Sequence, residues 1–371
     1  MQNVMGIINL NEKDELLKEI TANRPVAAVP FGGRYRIIDF ALSNMVNSGI
    51  RNVGILVQNK YRSVMDHLRS GKEWDLMRKK GGLFILPPAT NFSAGICQGD
   101  VENFINNMDY ITNSRQKYVL ISGSSVICNL NYRKAFKFHL DTQADVTILY
   151  QDEADEQLDC THCITIATGE GSRVVGMKVN PGKNGSSKIS MGMYILAKDL
   201  LIDLVKACSS QGGTDIVRDG FVNNIDKLKV YGYQYKGYLA RINSIQDFYK
   251  HNMNLLKPEN WQELFAKSGL VYTKVKDEAP VKYKEGSKVV NTMIANGCII
   301  AGHIENSIIF RGVTIGKGSH IRDSVIMQKC EIAEDAIVEN VICDKDVRIN
   351  AGKWVKGERN YPLVIKKGTV I

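Results

Sequence analysis

No run of about 18 consecutive apolar residues occurs in the 371-residue sequence, so no segment reads as a membrane-spanning helix. The opening stretch MQNVMGIINLNEKDE lacks the basic-then-apolar order of a secretion signal, and the expected compartment is the cytoplasm. Without such a signal, eight cysteines in a chain this long do not read as a disulfide framework. The local pair Cys160-Thr161-His162-Cys163 has no second pair of ligands at metal-site spacing, which argues against zinc. It runs straight into Ile164-Thr165-Ile166-Ala167 rather than into a helix, so reduced strand cysteines are expected. Charge of one sign is not extreme either. Lys+Arg total 48 against 39 Asp+Glu, a formal +9 that suits an anionic ligand without pointing to nucleic acid. With 44% hydrophobic and 23% charged residues, the chain is not a disordered one.

What is present divides in two. Residues 1–244 alternate short β-rich runs with amphipathic helical patterns. Val4–Ile8, Val53–Val57, Tyr118–Ser122 and Val146–Tyr150 are expected strands. Val101, Phe104, Ile105 and Met108 fall on one helix face, as do Leu200, Leu201, Leu204, Val205 and Cys208. This alternation predicts an α/β, Rossmann-like sheet, with ligands beyond the carboxyl ends of its strands. The loops after Ile8, after Ser122 and before Ile245 are therefore where chemistry is expected.

From residue 286 to 371 the texture changes. Branched aliphatics recur every five or six residues, at Ile315, Ile321, Ile326, Ile332, Ile337, Ile342 and Val347, with Gly, Asn, Asp and Lys between. Such spacing fits a left-handed parallel β-helix of the hexapeptide type, each coil stacking one inward aliphatic on the next. An antiparallel sheet would show strict alternation and longer turn spacing instead. Residues 245–285, with Pro258 and Pro280, read as a helical connection. His303 and His320 are expected on turns of the coils. A β-helix acyltransferase would use such a histidine as base, but one coil set of this size holds too few coils to build that site.

The run Val29-Pro30-Phe31-Gly32-Gly33-Arg34-Tyr35-Arg36-Ile37-Ile38-Asp39-Phe40, continuing to Asn44 and through Ser48-Gly49-Ile50, resembles the bacterial glucose-1-phosphate adenylyltransferases (ADP-glucose pyrophosphorylases). Ser122-Gly123, Ser190-Met191-Gly192-Met193-Tyr194 and Gly237-Tyr238 ahead of Asn252–Leu256 fit the same family in order. The resemblance implies a nucleotidyltransferase domain that makes ADP-glucose and pyrophosphate from ATP and glucose 1-phosphate. That chemistry needs a glycine loop and cations around the triphosphate, and carboxylates to hold Mg²⁺.

At the matching positions those groups are replaced. The family's G-G-x-G-x-R loop falls on Asn11-Glu12-Lys13-Asp14-Glu15-Leu16, with Leu16 in place of the arginine. Read locally, Asn11 is a helix N-cap with an acidic first turn, and Leu16, Leu17 and Ile20 are that helix's buried stripe. The lysine of K-P-A-V-P becomes Val26, and G-T-A-D becomes Gly99-Asp100-Val101-Glu102. Ser124 stands where the first metal carboxylate belongs, Arg241 where the second belongs, and Asn180 where the sugar-phosphate lysine belongs. Neutral and cationic side chains there do not suit Mg²⁺, so no metal or other cofactor is expected. Asp215 and Asp219 are expected as solvated loop residues rather than replacement ligands.

The resemblance therefore narrows to the family's D-type regulatory subunit, inactive or nearly so. It implies a heterotetramer with a catalytic subunit whose activity or effector response this chain alters. An active sugar-phosphate nucleotidyltransferase with unusual ligands is the alternative. Gly99, Gly123, Ser190, Met191 and Gly192 would line a vestigial sugar or nucleotide pocket. Arg34, Arg36 and Arg51 are candidates for binding a phosphorylated-metabolite effector, because guanidinium forks match phosphate oxygens. Otherwise they pair with local carboxylates such as Asp39 or lie solvated.

Overall fold

The computed structural model describes residues 1–88, 99–153, 162–182 and 186–371. Cys160 lies outside them; Cys163 is half-buried just ahead of strand Ile164–Thr168. The chain forms two compact units. One comprises Met1–Glu12, Ala41–Tyr61 and Leu68–Gly237, the other Lys13–Phe40, Arg62–His67 and Tyr238–Ile371.

The first unit is an α/β sheet. Strands Tyr118–Ser122, Val4–Asn9, Asn52–Leu56 and Gly82–Leu86 lie side by side and parallel. Their aliphatic runs are buried on both faces, as parallel strands between helices require. Lys188–Ala197 joins antiparallel to Tyr118–Ser122 and pairs on its far side with Val146–Asp152, which Val230–Gln234 extends in parallel. Helix Lys198–Ser210 buries Leu201, Leu204, Val205 and Cys208 against this sheet's core, along the expected stripe.

The stripe through Val101 and Met108 is not one helix. Helices Asp100–Asn106 and Met108–Thr112 are separated at Asn107. Its side-chain amide donates to the Asn103 carbonyl at 3.0 Å, a local bond that competes with the helical backbone. The acidic stretch after Asn9 departs from expectation as well. Asn11 caps nothing; its Oδ1 accepts from Gln58 Nε2 at 2.7 Å. Helical structure begins only at Glu15–Leu17, where Asp14 makes no capping bond, and continues as Lys18–Thr21. Leu17 and Ile20 are buried, but Leu16 is 51% exposed and lies off the stripe. Asp215 and Asp219 are not solvated loop residues. Asp215 caps the turn Ile216–Phe221 through the Val217 and Arg218 amides, and Asp219 accepts from Thr214, Asp215 and Arg218.

The second unit is dominated by three parallel five-stranded sheets that begin at Lys282–Tyr283 and end at Leu363–Ile365, a left-handed parallel β-helix. Register stacks Ile300, Ile315, Ile332 and Ile349 in one inward column and Ile304, Ile321, Val338 and Val355 in another. Asn291, Asn306, Asp323 and Asn340 repeat at the coil corners with φ between 44° and 54°, a left-handed conformation that Asn and Asp tolerate best. Two members of the expected aliphatic ladder face outward. Ile337 is 38% exposed because Val338 takes the inward place in its strand, and Ile342 is buried on the outer side while Val341 and Cys343 fill the coil. The histidines are not on turns. His303 and His320 occupy adjacent strands, their rings 4.9 Å apart and outward-facing.

Within the same unit, helix Ile245–Asn254 starts at Ser244, whose hydroxyl accepts the Asp247 amide at 3.1 Å. Helix Pro258–Phe265 carries proline in its first turn, and its Phe265 ring stacks on Tyr35 at 5.0 Å. Among the described residues, no helix is long and apolar enough to cross a membrane.

Candidate functional site

Parallel pairing of Ile8 with Ser122 sends two chain segments off the sheet side by side. One continues through Asn9 to Glu12, the other through Gly123, Ser124 and Ser125. The Glu12 carboxylate crosses between them. Its Oε1 accepts the main-chain N–H of Ser124 and, at 3.2 Å, that of Ser125. Glu12 as a residue is half-buried, but its carboxyl end is enclosed. Burial raises that carboxyl above the ordinary range, against the pull of the Ser124 and Ser125 bonds. Gly123 fits because a Cβ there would stand 3.3 Å from the same oxygen.

Gly123 also donates its N–H to the Gly192 carbonyl at 3.1 Å. Gly192 has φ 66° within a register shift between Ser190 and Met193, and its N–H is held by Ser190 Oγ at 3.1 Å. Ser190 and Met191 are buried at 5% and 1% exposure. Four of the five residues expected around a sugar or nucleotide are thus joined. Gly99 opens helix Asp100–Asn106 and leaves no room for a side chain, since a Cβ would come 2.0 Å from the Thr214 carbonyl. The next residue, Asp100, accepts from Asn9 Nδ2 and the Ile216 amide, both at 2.9 Å. Burial pushes its carboxyl up to about 7, with Asp215 adding to the rise.

Glu12 Oε1 and both Asp100 oxygens are already engaged by protein donors. Among the described residues, no group of three His, Cys, Asp or Glu side chains converges as a metal cradle. Asn180 follows strand Val174–Val179 with φ 52° and donates its N–H to the Cys163 carbonyl at 2.8 Å, the geometry of a turn residue. Arg241, half-buried at the end of strand Leu239–Arg241, and the exposed Leu16 both belong to the second unit.

That second unit also gathers positive charge. Arg24, 5% exposed, donates from Nε to the Ile20 carbonyl at 2.7 Å and pairs through Nη2 with Asp344. Arg36 donates from Nη1 to the Ser63 carbonyl at 2.6 Å, and burial lowers it to about 10. The Asp39 carboxylate takes the Arg36 main-chain N–H at 2.9 Å and the His67 ring at 2.6 Å, not a guanidinium. Lys345 is lowered to about 7, first by burial and then by Arg36 and Arg24. Lys276 is lowered by burial and by Arg311 and Arg36. Arg311, 7% exposed, is lowered by burial and by Arg34; its buried Nε has no partner among the described residues. Cations that depress one another in this way make a charge pattern that an added anion would relieve. Arg34 itself is exposed, 5.5 Å from the Tyr35 ring centroid. Arg51, in the first unit, pairs with exposed Asp75 at 3.0 Å.

Comparison with known proteins closes the question of family. A nucleotidyl transferase model matches residues 15–258, and a GlmU-like C-terminal hexapeptide model matches residues 278–360. The glycogen biosynthesis protein GlgD of Bacillus subtilis is 38% identical over 367 residues, covering 99% of this chain and 96% of that protein. GlgD of Geobacillus stearothermophilus is also 38% identical, over 99% of this chain and 97% of its own length. A glucose-1-phosphate adenylyltransferase of Bacillus mycoides is 30% identical over 98% of this chain and 97% of its own. The chain belongs to the glucose-1-phosphate adenylyltransferase family. Its likeness to the two GlgD proteins exceeds its likeness to that adenylyltransferase.

Within this adenylyltransferase fold, the nucleotidyl transferase match begins at residue 15, past the acidic replacements at Glu12 and Asp14. Sequence reasoning found the carboxylates of residues 11–16 but read them as a helix start, because no local pattern reveals a bond between positions 112 residues apart. It also missed Arg24, Lys276, Arg311 and Lys345. A signal existed for Arg311 alone, a cation set inside the aliphatic coil pattern Ile308-Ile309-Phe310-Arg311.

Proposed function

We propose that this chain is a non-catalytic regulatory subunit of ADP-glucose pyrophosphorylase in glycogen biosynthesis. It pairs, as a heterotetramer, with a catalytic subunit that makes ADP-glucose and pyrophosphate from ATP and glucose 1-phosphate. The observation that carries this reading is the Glu12 carboxylate seated on the Ser124 and Ser125 amides. An acid seated there fills main-chain donors that could serve a phosphate, and Ser124 supplies no carboxylate for Mg²⁺, while phosphoryl chemistry depends on charge compensation. The regulatory half of the reading is supported by the cations around Lys345 and Arg311, which suit a phosphorylated metabolite. Arg34 and Arg36 take part there; Arg51 forms an exposed pair with Asp75.

The test is pyrophosphate release from ATP, Mg²⁺ and glucose 1-phosphate, by the purified chain alone and after co-expression with a catalytic relative. Silence alone, together with co-elution and altered partner turnover, is the expected result. Turnover by the isolated chain at a catalytic subunit's rate overturns the proposal in favour of an active enzyme with unusual ligands. Calorimetric titration with fructose 1,6-bisphosphate and AMP tests the effector site, and unchanged heats after both Arg34→Ala and Arg311→Ala would remove these residues from it.

A further inference from the structure

His303 and His320 stand in register on adjacent parallel strands of one β-helix sheet, and both are exposed. Their rings meet edge to face, with centres 4.9 Å apart and planes at 71°. Among the described residues no hydrogen bond or ion pair engages either ring, so the ring nitrogens are uncommitted. Coil packing does not call for this pair. Ile304 and Ile321 hold the inward places of the two strands, and an outward place accepts any polar side chain.

We propose that these two imidazoles form a clamp for one divalent transition-metal ion of the zinc, nickel or copper kind. Spacing is the first support. A zinc–nitrogen bond is about 2.0–2.1 Å and an imidazole's centre lies about 1.2 Å behind its nitrogen. Two rings sharing one ion therefore have centres about 4.5 Å apart at a right angle and about 5.2 Å at the tetrahedral angle. The observed separation falls between these limits. A parallel sheet imposes it, because in-register side chains on neighbouring strands start about 4.8 Å from each other. Donor chemistry is the second support. Imidazole suits zinc, nickel and copper, whereas Mg²⁺ and Ca²⁺ prefer oxygen. The ion and its place thus differ from those of the Mg²⁺ of nucleotidyl transfer.

The surroundings carry excess negative charge. Both histidines border an open cavity of about 490 Å³ with Glu305, whose carboxylate makes no ion pair among the described residues. His303 also borders a cavity of about 460 Å³ with Glu285, Glu334 and Asp335. These carboxylates outnumber Lys288 and Lys317 beside them, since Arg322 is paired with Asp323 and Glu339 with Lys356. Among the described residues no third His, Cys, Asp or Glu converges on the pair, so water completes the coordination and the ion exchanges readily. When bound, it ties two coils together and stabilises the folded chain by mass action. The clamp stands apart from the regulatory reading, and holds or fails whether or not the chain has a catalytic partner.

Calorimetric titration of the full chain with nickel chloride tests it, in a reducing, non-chelating buffer, with circular dichroism confirming the fold of each variant. Saturable binding of a single ion per chain and a raised unfolding midpoint are expected, and magnesium chloride should give neither. His303→Ala and His320→Ala should each weaken binding by at least about tenfold. His162→Ala combined with Cys163→Ser, which removes ligands of the other local candidate, should not. Register supplies a rescue. Residue 337 is paired with His320 on the next strand, so Ile337→His added to His303→Ala recreates an in-register pair and should recover the ion. No saturable heat at millimolar nickel overturns the proposal. So does binding unchanged by either histidine variant, binding lost with His162→Ala and Cys163→Ser, or failure of the folded exchange variant to recover it.

Discussion

Arg24 and Asp344, 320 residues apart in sequence, form a buried ion pair whose side chains are 6% and 3% exposed. Asp344 stands among cations: it raises Lys345, which Arg36, Arg24 and Lys276 depress. Removing the anion should therefore harm the fold more than removing one cation. Asp344→Asn is expected to cost about 3–5 kcal/mol, the usual penalty for orphaning a buried charge. Arg24→Met should cost less, because Lys345 still faces Asp344. Urea denaturation measures both. Sulfate should recover stability in Asp344→Asn, as a ligand that binds only the folded state does.

Lys345 gives the cationic site a pH signature. Its folded-state value near 7 lies below the ordinary 10.5, so the folded protein binds fewer protons than the unfolded chain between those limits. Stability from this group accordingly grows as pH rises from about 7 towards 10. A bound anion reverses the shift by favouring the charged lysine. Sulfate, whose own charge is constant over this range, should bind with proton uptake near pH 8 and lose affinity as pH climbs past 7. Calorimetry in two buffers of different ionisation heat reads that uptake. Lys345→Met should abolish it.

Asp100 behaves in the opposite sense. Its folded-state value of about 7 lies above the ordinary 3.8, so its contribution to stability is full below pH 4 and is lost as pH rises towards 7. Asp100→Asn removes the titration. Asn9 Oδ1 has no hydrogen-bond partner among the described residues, so the Asn9 amide can turn over and accept from the new side chain. The variant should be more stable than the parent at pH 7.5 and show a flatter melting temperature from pH 4 to 7.

Glu12→Ala strips the acceptor from the Ser124 and Ser125 amides, and is expected to cost about 1–3 kcal/mol for donors left unpaired. Glu12→Gln keeps an acceptor oxygen and should melt close to the parent. Neither variant should release pyrophosphate, since Ser124 still supplies no carboxylate.

In the coil, Ile321→Ala should cost about 2–5 kcal/mol as a buried cavity, whereas Ile337→Ala in dilute solution should change stability by under about 0.5 kcal/mol. Chemical melts of the two variants check the inward column directly.

These two isoleucines mark the limit of what periodicity reveals. A five-to-six-residue rhythm identifies a solenoid, and strands such as Tyr118–Ser122 are found at their bounds because aliphatic runs between turn residues leave little choice. The rhythm does not fix coil phase where two aliphatics adjoin, as at Ile337-Val338, so the outward one was assigned inward. Histidines 303 and 320 were assigned to turns for a related reason. A three-residue strand has two outward places that accept any polar residue. The positions where this sequence departs from the family's metal and phosphate motifs are legible because they align to a long motif near Val29. What replaced them was not. The Glu12–Ser124 bond and the Arg24–Asp344 pair join residues that only the folded chain brings together, and no local pattern encodes either.

The in-register ends of Val4–Asn9 and Tyr118–Ser122 bear on how such a chain arises. Two loops discharge into one small volume, so an acidic group can be delivered there from either. Here the first loop delivers it, and the main-chain amides of the second receive it. The character of this sheet edge can thus change by moving one acid, with no unfolding and no bulky group.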